Sequence, residues 1–137
     1  MEIKELVPPL ELCKLIPQGE FADSAFIWDK TTSIGFWDGE DKDGNQIGGF
    51  GKIPHTKYRL RQNYSERCRK HLKDQDITLD VFPAPTMQEI MASMTYCRVY
   101  KKTSNFYVAV KEKDRQVSFS GATAALKLWL KLKGIEV

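Results

Sequence analysis

Residues 121–134 constrain this chain more than any other stretch. Ala122, Ala125, Leu126, Trp129 and Leu130 recur at helical spacing and fall on one stripe, which Leu128 and Leu132 widen. Lys127, Lys131 and Lys133 crowd the C-terminal half, where cations meet the negative end of the helix dipole. Gly134 stands where a helix closes on a left-handed residue. A helix this amphipathic needs an apolar surface to cover it, because packing supplies most of a helix's stability. The preceding segment offers one. Three alternating runs, 96–101, 106–111 and 116–120, are separated by the turn residues 103–105 and 113–115. Short turns make neighbouring strands antiparallel, so these runs predict a β-meander. Phe106, Val108 and Val110 share one face of the second strand, and Val117 and Phe119 share one face of the third. The stripe of the closing helix is expected to match that apolar side.

Upstream, Thr86 and Glu89 have the spacing of a capping box, and Pro83 and Pro85 block any helix before them. This predicts a helix over 87–94 that buries Met87, Ile90, Met91 and Met94. Pro8 and Pro9 open a short helix over 8–16, with Leu12, Leu15 and Ile16 on one face, and Pro17 and Gly19 stop it. Residues 25–28 and 34–37 read as two strands of a hairpin. Residues 38–51 hold five glycines and four acids and read as a mobile loop. Residues 57–61 alternate as an edge strand does. Asn63 and Glu66 suggest a capped helix over 64–73, and 77–81 a half-buried strand. The fold class is therefore α+β: one domain over 1–137, with an antiparallel sheet of four to six strands that includes the C-terminal meander. Helices 87–94 and 122–133 pack it, and a Gly-rich acidic loop and basic insertion occupy about 38–73.

The chain has 137 residues, 42% hydrophobic and 28% charged, a globular composition that needs no disulfide or metal staple. No apolar run approaches the ~20 residues of a membrane span, and no basic stretch followed by an apolar core begins the chain. Cys13, Cys68 and Cys97 are odd in number and far apart, which suggests free thiols in a reducing cytoplasm.

Charge is the strongest functional signal. Residues 52–73 contain eight Lys or Arg and one acid, Glu66, a local net charge of +7 in a chain of +3. Lys57, Arg59, Arg61, Arg67, Arg69 and Lys70 are candidates to meet phosphates, with Tyr58 and Tyr64 offering rings to bases. The alternative is that the segment neutralises the acidic loop beside it. Trp37 is a candidate contact residue, because it and Phe36 lie on opposite faces of their strand. Other chemistries find no complete pattern. Cys68 and His71 stand one helical turn apart, with only the distant His55 and Cys97 to complete a zinc set. Aligning Gly44 with the glycine of a calcium-binding loop puts Gly39 and Phe50 where acids are required. Residues 48–52 lack the spacing of a phosphate-binding loop, with Gln46 and Ile53 at two of its fixed positions. No metal, cofactor or catalytic residue is assigned.

Three pieces carry a resemblance: residues 8–15 beginning Pro8, Ala84-Pro85-Thr86 with the short helix after it, and residues 124–134 around Trp129. Together, with the aromatic strand Phe26 to Trp28, they resemble small proteins of bacteriophage and prophage regions in gut bacteria. The resemblance implies a cytosolic accessory protein and assigns no activity or site residue. The reading that follows is a non-enzymatic accessory or interaction protein with a protein partner. The second reading is a nucleic-acid-binding protein using 52–73. No membrane association is expected.

Overall fold

The structure, a computed structural model, describes residues 2–137 except for the side chain of Trp37. In chain order the elements are a 3-10 turn at Ile3–Glu5, α1 Leu10–Cys13, β1 Phe26–Asp29, β2 Ser33–Glu40, β3 Gln46–Ile53, β4 Arg59–Gln62, α2 Glu66–Asp74, β5 Val81–Pro83, α3 Met87–Ala92, β6 Arg98–Thr103, β7 Phe106–Lys111, β8 Asp114–Ser118 and α4 Gly121–Leu132. The fold is α+β. Its strands are divided among three sheets among the described residues, ordered β4-β1-β5, β2-β3 and β6-β7-β8, where the sequence suggested one sheet of four to six strands. β1 and β2, expected to pair as a hairpin, belong to different sheets.

Internal contacts divide the chain into two compact units. One comprises Met1–Trp28, Leu60–Asn63 and Phe82–Val137, and the other Asp29–Arg59 and Tyr64–Val81.

The first unit is organised by α4. Ser120 caps it by accepting a hydrogen bond from the Thr123 amide at 3.3 Å. At the other end Gly134 adopts φ +79°. The Gly134 amide donates to the Lys131 carbonyl at 3.0 Å and the Ile135 amide to the Leu130 carbonyl at 2.9 Å. This paired closure satisfies carbonyls the helix would otherwise leave open, and Ile135 packs on the core behind it. Leu126, Leu128, Trp129 and Leu130 are all buried, each contributing roughly 1.5–3 kcal/mol by leaving water. They face two ways. Ala125, Leu126, Trp129 and Leu130 join Val7, Cys13, Ile16, Ala84 and Ile90, whereas Ala124 and Leu128 meet Ala109 of β7.

The capping box before α3 forms as predicted: the Glu89 amide donates to Thr86 Oγ1 at 3.2 Å and the Thr86 amide to Glu89 Oε1 at 2.9 Å. The predicted helix over 8–16 contracts to α1, with Ile16 buried, Leu12 half-buried and Leu15 exposed.

In the second unit the segment expected to be a mobile loop is mostly strand. β2 and β3 pair antiparallel from Ser33↔Ile53 to Glu40↔Gln46. Asp41 closes the turn, since its Oδ1 accepts from the Asp43 and Asn45 amides, both at 2.9 Å, and Gly44 takes φ +81°. These hydrogen bonds hold the carboxyl of Asp41 below the usual carboxylate range. α2 is capped by Ser65, whose Oγ accepts from the Cys68 amide at 3.2 Å. Asn63 was the expected cap. Its side chain belongs to the first unit, donating to the Ala22 and Ser24 carbonyls at 3.2 and 2.8 Å. The strand predicted over 77–81 survives only as β5, although Ile77 is buried.

Candidate functional site

The basic segment is distributed over β4, the residues before it and α2. Lys57 is exposed just before β4, Arg59 and Arg61 lie on β4, and Arg67 and Lys70 stand one turn apart and exposed on α2. Arg69 is half-buried. Arg59 Nη2 lies 3.5 Å from His55 Nε2, itself 2.7 Å from Ser33 Oγ, and Arg61 Nε donates to the Gln62 carbonyl at 2.9 Å. The two tyrosines are engaged as well. Tyr64 donates its hydroxyl to Asp29 Oδ2 at 2.6 Å, a carboxylate that is 3% exposed and also accepts from the Thr31 amide. Tyr58 donates to Asp80 Oδ1 at 2.5 Å, with Lys30 Nζ 5.1 Å from the centre of its ring. The Asp80 carboxylate beside it pushes the Tyr58 phenol up to about 12.

The two units differ in net charge. The second unit holds nine Lys or Arg and nine Asp or Glu, a net charge of zero. The first holds twelve against nine, so the +3 of the chain resides there.

The excess is concentrated in the meander and α4. Residues 98–133 carry nine Lys or Arg and two acids, Glu112 and Asp114, a local +7 equal to that of 52–73. The ladders are Arg98↔Val110, Val99↔Ala109 and Tyr100↔Val108 between β6 and β7, and Val108↔Val117, Ala109↔Gln116 and Val110↔Arg115 between β7 and β8. Directly paired residues share a face. Val99, Tyr107 and Ala109 pack with Ala124 and Leu128, so that parity meets α4. Tyr107 lies against Gly121, where an added Cβ would stand 3.4 Å from the ring and 2.7 Å from Met87 Sδ. Asp114, also of that parity, pairs with Lys131 at 3.4 Å.

The opposite face therefore holds Arg98, Tyr100, Phe106, Val108, Val110, Arg115 and Val117. This corrects the expected match between helix stripe and apolar strand face: α4 lies on the side of Val99, Tyr107 and Ala109, where its own Gly121 and Ala124 allow close approach. Val108 is fully buried, but Tyr100 is 42% exposed, Phe106 40%, Val117 44% and Phe119 75%. Phe106 and Phe119 stack, centroids 5.1 Å apart and planes 29° apart. Across the same face Arg98 and Arg115 flank Val110, and neither forms an ion pair or side-chain hydrogen bond among the described residues. Lys102 occupies the bulge between Lys101 and Thr103 on the edge strand β6.

A second exposed aromatic pair stands on the β2-β3 hairpin. Phe36 and Phe50 are direct cross-strand partners, centroids 4.9 Å apart and edge to face. The backbone of Trp37 pairs with Gly49, and its side chain, singled out as a contact, lies outside the described residues.

The cysteines are free and separate. Cys13 is buried, with Sγ 3.5 Å from the Pro8 carbonyl, and burial pushes its thiol up to about 12. Cys68 is exposed on α2. Among the described residues no three His, Cys, Asp or Glu side chains gather as a metal site requires, and no helix is long and apolar enough to cross a membrane. The sequence signal for the meander face was the charge balance of 98–133, hidden because 121–134 reads so strongly as core. No family model, curated protein or solved structure matches the chain.

Proposed function

We propose that this protein is a non-enzymatic binding protein that takes an anionic polymer on the open face of the β6-β7-β8 meander. The observation that supports this reading is the pair Arg98 and Arg115, without an ion pair among the described residues, on the face opposite α4. A polyanion gains from such cations chiefly by releasing its own counterions, so no exact spacing is required. On this reading the role is an accessory one in the cytoplasm, and a protein partner for the same face would be an acidic one.

Chromatography on immobilised heparin tests the reading. The wild-type protein should be retained at low salt. The double variant R98E/R115E should elute at distinctly lower salt, and R67E/K70E, which alters the basic segment instead, should elute close to wild type. Equal losses from the two doubles, or no retention of the wild type, would remove the meander face as the anion site.

A further inference from the structure

Resting on that reading, we infer that the anionic polymer is a single-stranded nucleic acid, whose bases stack on Tyr100 and the Phe106–Phe119 pair while its phosphates meet Arg98 and Arg115. Cations alone would serve any polyanion. What a simple polyanion does not explain is why aromatic rings share the face with them. Phe119 is 75% exposed, and its ring is held against Phe106 instead of being buried. Leaving large aromatic surface in water is unfavourable unless something covers it. Unpaired bases are planar, apolar on their faces and attached to a negative backbone, so they match both halves of the surface. Bases inside a duplex are stacked on one another and present only their edges, so a platform of rings selects the single strand.

The dimensions agree. Four residues of β7 separate the Arg98–Val110–Arg115 row from Phe106, about 13 Å at strand rise, with the Tyr100–Val108–Val117 row midway. Backbone contacts and stacking contacts therefore lie along one path over the sheet. Among the described residues of the meander no acid shares this face: Asp114 is turned to Lys131 on the α4 side, and Glu112 sits in the turn after β7. The strands of the face thus set no carboxylate of their own against a phosphate.

Fluorescence anisotropy with a short labelled oligothymidylate, its duplex with oligoadenylate, and polyglutamate as competitor tests the inference on the whole protein. Wild type should bind the single strand more tightly than the duplex, with polyglutamate a poor competitor. Phe119→Ala should weaken single-strand binding roughly 5- to 150-fold, the range for loss of one stacked base, while leaving heparin retention intact. Because Phe119 is so exposed, the thermal midpoint of that variant should match wild type, and Phe119→Trp should keep the affinity. Duplex bound as well as single strand, unchanged affinity in Phe119→Ala, or effective competition by polyglutamate would each overturn the stacking inference. Heparin retention that still depends on Arg98 and Arg115 would leave the anionic-polymer reading standing, and its loss would remove both.

Discussion

Residues 52–73 and 98–133 have the same net charge in sequence, +7, and different surroundings in the structure. The first belongs mostly to a unit that balances nine cations with nine acids, and its tyrosines give their hydroxyls to Asp29 and Asp80. The second pairs some of its cations locally, Lys131 with Asp114 and Lys133 over the Trp129 ring, yet leaves Arg98 and Arg115 beside exposed aromatics. Net charge therefore ranks the two regions equally, whereas the field that a partner meets depends on which acids fold in beside them. The comparison also separates two uses of aromatic residues near cations: tyrosines tied into a polar network, and rings left open on a sheet.

The largest effect that could break this comparison is on stability. Leu128→Ala removes the side chain that α4 lays on Ala109, and it should cost about 2–5 kcal/mol, seen as a clear drop in thermal midpoint. An unchanged midpoint would mean that α4 does not cover the Val99–Tyr107–Ala109 side, and the opposite side would lose its standing as the open face.

A smaller effect tests the other region. Tyr64→Phe takes one donor from the buried carboxylate of Asp29 and should destabilise by about 1–3 kcal/mol in chemical denaturation. A neutral result would free Tyr64 for stacking and restore 52–73 as a rival surface.

The smallest effect is one of protonation. Tyr58 has its phenol raised from 10.0 to about 12 by the hydrogen bond to Asp80. A folded-state value above the unfolded one means that the contact contributes stability fully below pH 10 and loses it as pH rises towards 12. Ultraviolet titration should show a late tyrosinate step near that pH, and Asp80→Asn should bring it earlier. If Asp80→Asn leaves the titration unaltered, Tyr58 is not engaged and the contrast between the two regions weakens.

Much of the local structure was legible without coordinates. Thr86, Glu89 and Pro85 mark the start of α3 because their effects act within one turn of chain. The same holds for the apolar periodicity and C-terminal glycine of α4, and for the three short strands of the meander. Structure and sequence pattern part where a local pattern has two outcomes. Glycines at 48, 49 and 51 suit a loop, but in β3 they accompany a full antiparallel ladder with β2, whose turn the carboxylate of Asp41 closes. Asn63 is a good cap by type, yet its amide finds the Ala22 and Ser24 carbonyls, distant in sequence, and Ser65 caps instead.

The sequence by itself determined that α4 must be buried, that a β-meander precedes it, and that positive charge is unevenly distributed, because spacing, capping and composition are properties of neighbouring residues. Only the tertiary structure decided which side of the meander α4 covers and which cations remain unopposed. Both depend on packing between residues far apart in the chain: Gly121 against Tyr107 and Ala124 with Leu128 against Ala109 draw the helix to one side, and that choice leaves Phe119, Tyr100, Arg98 and Arg115 on the other.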